Sequence, residues 1–108
     1  DLVEGNCLCS ETGNYLIDYE YACDNDPYFD IMSFITENDI QDQDDRNTFY
    51  KAYFGHLPNH EEQSKLLIFE RAHHVLWCQW ACLMYQLHPE PIYKEIADLK
   101  YKRLMETL

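Results

Sequence analysis

Glycine, proline, long apolar runs and, over its first 45 residues, positive charge are all scarce in this sequence. With 3 Gly and 4 Pro among 108 residues, collagen-like and low-complexity chains are excluded, and 46% apolar with 15% aromatic residues excludes intrinsic disorder. No run approaches the ~18 uncharged apolar residues of a membrane-spanning helix. Residues 1–45 hold 13 of the 20 acidic residues and no Lys or Arg, whereas residues 46–108 hold 7 acids against 8 bases, for a net charge of −12. Such an acidic half repels phosphate backbones, so nucleic acid is not an expected partner. Acidic tails are usually poor in aromatics. This half instead carries Tyr15, Tyr19, Tyr21, Tyr28, Phe29 and Phe34. Carboxylates interleaved with rings point to a folded site for cations: a metal, an organic ammonium, or both.

The length fits one domain. The five cysteines, Cys7, Cys9, Cys23, Cys78 and Cys82, are an odd number, and no basic, then apolar, leader precedes them. Reduced buried thiols in a cytoplasmic protein are therefore expected. His74, Cys78 and Cys82 share a helix face, but a zinc site needs a fourth converging ligand. Small core residues explain these cysteines better.

Short apolar runs at 7–9 and 15–17 flank Ser10-Glu11-Thr12-Gly13-Asn14, which predicts a β-hairpin over 6–19 with a loop of about five residues. The pattern then turns helical. Helices are expected over about 28–38, from Asp42 to a stop at Gly55, over about 60–87, and over about 92–106. Phe69, His73, Leu76, Trp80, Leu83 and Leu87 mark the inward face of the third, and Ile92, Ile96, Leu99, Leu104 and Met105 that of the fourth. The fold class is mainly α (α+β), with one N-terminal hairpin.

A hairpin brings the start of one strand near the end of the other, so Asn6 should approach Asp18. An amide oxygen and a carboxylate are hard ligands suited to Mg²⁺. Asp1 adds a second carboxylate just upstream. A base, a metal-binding Asn and a metal-binding Asp in this order form the core of a kinase-type phosphoryl-transfer site.

Asp1-Leu-Val-Glu-Gly-Asn6, followed by Leu16-Ile-Asp18-Tyr-Glu20-Tyr21, resembles the catalytic segment of the choline/ethanolamine kinase family, whose fold includes the aminoglycoside phosphotransferases. Asn25-Asp26-Pro27, Phe29-Asp30-Ile31 and Glu37 are similar to the bacterial choline kinases. His74-Val-Leu-Trp77-Cys-Gln-Trp80 resembles the family's Trp-x-x-Trp helix. The likeness is dense over 1–37 and present over 69–81.

The resemblance implies the helical C-terminal lobe of a kinase-like fold, with residues 1–27 as catalytic loop and metal-binding hairpin and 28–108 as the acceptor-binding part. It implies Asp1 as the base, Asn6 and Asp18 as ligands of Mg²⁺ and of the ATP phosphates, and Tyr21, Trp77 and Trp80 as walls around a quaternary ammonium. Glu37 would supply the counter-charge. Glu20 reads as structural, and Asp30 as a helix cap or a brace for the catalytic loop. Trp77 and Trp80, three apart on one helix, do share a face. The implied reaction is transfer of the ATP γ-phosphate to choline; ethanolamine and aminoglycosides are the alternative acceptors. No Gly-rich phosphate loop and no strand Lys occur in residues 1–108. The expectation is a fragment that starts at the catalytic Asp, lacks the N-terminal nucleotide lobe and is inactive alone. From a different class, a non-catalytic acidic module that binds cations or a basic protein would share the composition.

Overall fold

The order of elements in the computed structural model, which describes residues 1–108, follows that pattern. A 3₁₀ turn at Glu4–Asn6 leads into β1 (Cys7–Ser10) and β2 (Gly13–Leu16). Four helices follow: α1 (Pro27–Glu37), α2 (Gln43–Phe54), α3 (His60–Leu87) and α4 (Pro91–Glu106). The protein is mainly α with one antiparallel hairpin. No helix is long and apolar enough to cross a membrane. The chain divides into two compact units, Asp1–Leu66 and Leu67–Leu108, with the boundary inside α3.

The hairpin is tighter than the sequence predicts. Ser10 pairs with Gly13 and Cys7 with Leu16, leaving only Glu11 and Thr12 as the turn. Ser10 closes it: its Oγ accepts from Thr12 N at 3.3 Å and donates to the Gly13 carbonyl at 3.2 Å. Gly13 and Asn14 thus belong to β2, with Gly13 at φ +146°, a conformation that costs glycine little. Of the strand residues, only Cys7 and Gly13 are half-buried and the rest are exposed.

Helix α1 starts where Asp26 accepts a hydrogen bond from Tyr28 N at 2.9 Å and Pro27 occupies the first helical position. Its inward face, Ile31, Met32 and Ile35, is buried with Tyr50 of α2 and Leu66 of α3 to form the core of the first unit. Phe34 stacks on Phe49 with centroids 4.7 Å apart, and the Tyr50 hydroxyl reaches the Met32 sulfur at 3.8 Å. Asp42 caps α2 through Asp44 N and Asp45 N, and Gly55 ends it at φ +77°. At the start of α3, Asn59 Oδ1 accepts from Glu62 N while Glu62 Oε2 accepts from Asn59 N, a reciprocal capping box.

In the second unit, α3 and α4 are tied by Trp80 against Tyr93 at 5.9 Å, and by Arg71, whose guanidinium donates to the Thr107 hydroxyl at 3.3 Å and to its carbonyl. Arg71 thereby satisfies a carbonyl that the end of α4 leaves without an intrahelical donor. The buried residues of α3 are Leu66, Glu70, His73, His74 and Ala81, whereas Leu76, Leu83 and Leu87, expected inward, are exposed. Ile92 and Met105 of α4 are exposed as well. All five cysteines are free, and Cys9, Cys23 and Cys82 are exposed, which corrects the expectation of small core thiols at these positions. Burial, then Cys82, pushes the half-buried Cys78 thiol above its ordinary pKa.

Candidate functional site

The segment Asp1–Asn6 has no regular structure beyond its short 3₁₀ turn, so something else must hold its backbone. That is the C-terminal end of α1. Leu2 N donates to Ser33 Oγ at 3.2 Å, Glu4 N donates to Asn38 Oδ1 at 2.7 Å, and Asn38 Nδ2 donates to the Leu2 carbonyl at 2.9 Å. The Ser33 hydroxyl in turn donates a hydrogen bond to the Glu37 carboxylate. Ser33 is buried and Asn38 half-buried, so the clamp is partly shielded from competing water. Sequence reasoning missed Ser33 and Asn38, because each lies more than thirty residues from the backbone it holds.

The clamped segment presents Asn6. Its Nδ2 donates to the Asp1 carbonyl at 3.2 Å, so the amide is fixed with the nitrogen towards Asp1 and its oxygen uncommitted. Across the hairpin base, Ile17 N donates to the Asn6 carbonyl at 3.0 Å, which puts Asp18 one residue beyond the bond. Asp18 takes φ +65°, outside the usual range for a residue with a side chain. Strain of this kind is held only where the surroundings impose it, and it collects at functional sites.

A cavity of about 210 Å³ opens here, and Asp1, Asp18, Tyr19, Tyr21 and Asp30 are among its lining residues. Three of the acids expected to act or brace therefore share one cavity with the expected aromatic wall Tyr21. Glu37 is not on this wall. It is half-buried and accepts a hydrogen bond from Ser33. Asp30 does not cap α1, because Asp26 does; Asp30 sits exposed in the first turn, facing the cavity. Trp77 and Trp80 lie in the second unit. Their rings meet edge to face at 5.6 Å, and Trp80 meets Tyr93 in the same way at 5.9 Å.

No three His, Cys, Asp or Glu side chains converge closely enough to hold a metal ion by themselves. His74, Cys78 and Cys82 do not form such a group. That leaves Mg²⁺ open, since Mg²⁺ keeps several waters and takes one or two protein oxygens plus substrate phosphates. The uncommitted Asn6 Oδ1 and the exposed Asp18 carboxylate fit that sparse requirement.

No family model matches the chain, nor does any curated protein or solved structure.

Proposed function

We propose that residues 1–108 carry the catalytic and acceptor-binding part of a small-molecule kinase that moves the ATP γ-phosphate to the hydroxyl of choline or a closely related amino alcohol. The observation that supports this most directly is the arrangement of Asp1, Asn6 and Asp18: the Asn6 amide is pinned to the Asp1 carbonyl, and both aspartates line one cavity. Asp1 would accept the hydroxyl proton of the acceptor as its oxygen bonds to the γ-phosphorus and the bond to the β–γ bridging oxygen breaks, releasing ADP. Asn6 and Asp18 would hold Mg²⁺. Bound there, the ion neutralises charge on the phosphates. Tyr21 stands on the cavity wall, where a ring face attracts a methylated ammonium. Ethanolamine and aminoglycosides remain the alternative acceptors.

The phosphate loop and lysine of a nucleotide lobe are not among residues 1–108, so these residues alone should bind Mg²⁺ without turning over ATP. Titration of the isotope-labelled chain with MgCl₂ at constant ionic strength is the test. Shifts should centre on the Asn6 side-chain amide and on Asp18, and Asp18→Ala should remove them. Shifts spread evenly over the acidic residues would mean non-specific counterion binding and would defeat the proposal.

A further inference from the structure

Within the second unit, the buried residues of α3 are Glu70, His73, His74 and Ala81. At about 100° per residue, the opposite side of the helix is a stripe of Ile68, Ala72, Leu76, Gln79, Leu83 and Leu87, gathered within an arc of about 100°. All six are exposed, and Ile68, Leu83 and Leu87 are each more than half exposed. A helix face that meets water normally carries charged side chains. Here no Asp, Glu, Lys or Arg occurs from residue 72 to residue 89, in a chain whose net charge is −12. Helix α4 meets α3 elsewhere, through Arg71, Cys78 and Trp80.

We infer that this stripe is the interface of a homodimer, with α3 of one copy lying antiparallel to α3 of a second copy across a two-fold axis. The inference is independent of the phosphotransferase proposal. Spacing, charge and size each bear on the occupant. Along the chain the stripe steps by four, four, three, four and four residues, the same read in either direction. A two-fold interface needs a surface that complements its own reverse. An axis passing between residues 77 and 78 sets Ile68 against the partner's Leu87, Ala72 against the partner's Leu83 and Leu76 against the partner's Gln79. The small Ala72 leaves room for the leucine opposite it. The two Gln79 amides flank the axis, and each carries both a donor and an acceptor with which to satisfy the other. Charge favours the same occupant. Two copies at −12 repel, so they approach closely only where neither presents a carboxylate, and this stripe has none. A basic partner would be drawn to the acidic first unit before this neutral face. Size sets the strength. A strip about 30 Å long and about 10 Å wide lies at the small end of specific interfaces, which corresponds to a Kd of about 10–100 μM.

The test is sedimentation velocity on the 108-residue chain, from about 2 to about 500 μM, in about 0.15 M NaCl to screen the repulsion between acidic units. The parent should show a monomer–dimer equilibrium with no larger species. Leu83→Glu should be monomeric throughout; the position is exposed, so its circular dichroism should match that of the parent. Gln79→Glu and Gln79→Lys, each measured alone, should weaken the dimer at least about tenfold, because the axis sets like charges side by side. Mixed one to one, the two variants should dimerise again, a rescue that only a two-fold contact at this position provides. A parent that stays monomeric at the highest concentration would overturn the inference and leave the stripe to a different partner. A dimer indifferent to Leu83→Glu would place the contact on another face. Association that grows without limit, or a charge pair that fails to rescue, would mean a head-to-tail contact and would equally overturn the two-fold arrangement.

Discussion

Asn38 makes three hydrogen bonds with one amide: to the Leu2 carbonyl, to the Glu4 amide and to the Phe34 carbonyl at 2.8 Å. Replacing it with Ala leaves those backbone groups to find water. At about 1 kcal/mol per net hydrogen bond, the Asp1–Asn6 segment should loosen by roughly 2 kcal/mol while α1 persists. Hydrogen exchange at Leu2, Glu4 and Asn6 should accelerate, and Mg²⁺ affinity should fall about tenfold, the size typical of a lost support behind a ligand. Unchanged Mg²⁺ affinity with accelerated exchange would show that the clamp does not position the ligands. The candidate site was legible in the sequence to the extent that it is local. Asp1, Asn6 and Asp18 are related by a hairpin, whose pairing follows from short-range pattern, and the structure does pair Asn6 with Ile17. Ser33 and Asn38 were not legible, since a serine and an asparagine near a helix end look like ordinary surface residues until the chain returns to them. The partner of Glu37 was not legible either: it is Ser33, and nothing in the sequence reveals that Ser33 is buried.

Helix limits were well marked because caps are chemistry of one to three residues. The expected ranges of all four helices agree with the structure to within a residue or two, and Gly55 is the stop it was taken to be. Asp42→Ala removes an acceptor shared by Asp44 N and Asp45 N and should cost about 1 kcal/mol, read from denaturant unfolding. Gly55→Ala should cost a similar ~1 kcal/mol from the left-handed backbone alone, because no atom lies within 4 Å of the added methyl position. Asp26 carries a pH signature. The Lys65 ammonium, 2.7 Å away, and then the Tyr28 amide hold its carboxyl below the ordinary carboxylate pKa. A lowered folded-state pKa adds stability that is present above the unfolded value and lost as pH falls through the folded one. Asp26→Asn should therefore be less stable than the parent at pH 6, and the gap should close in strong acid. Lys65→Met should return the Asp26 pKa towards its usual value in an NMR titration. The face of α3 was the element-scale failure. Apolar residues surround this helix between Leu66 and Leu87, so spacings of three and four fit more than one stripe. His73 lies inward as expected, but the buried stripe also takes in Glu70, His74 and Ala81, polar or small positions that a hydrophobic count passes over. The hairpin loop failed differently, because Gly13 and Asn14 read as turn residues although the Ser10 side chain closes the turn before them.

At the scale of the whole chain, charge is the dominant feature. A net charge of −12 with no base before residue 46 means that the first unit folds against its own repulsion. Salt should therefore raise the melting temperature, with most of the gain complete by about 0.15 M, where the screening length falls to about 8 Å. That response belongs to the acidic surface as a whole and needs no site. A bound ion adds a different increment. A ligand that binds only the folded state stabilises it by RT ln(1 + [L]/Kd), about 1.4 kcal/mol at ten times Kd, whatever the background salt. MgCl₂ and NaCl compared at equal ionic strength separate the two. The parent should melt higher in MgCl₂, and Asp18→Asn should lose the Mg²⁺ excess while keeping the NaCl response. Asp24→Asn, equal in charge change but outside the cavity, should keep both. If Asp24→Asn and Asp18→Asn behaved alike, the carboxylates would be acting as one diffuse field, and Asn6 and Asp18 would have no special claim on the ion. If only Asp18→Asn loses the excess, the ion recognises the strained hairpin end beside Asn6, and diffuse charge serves only to raise its local concentration.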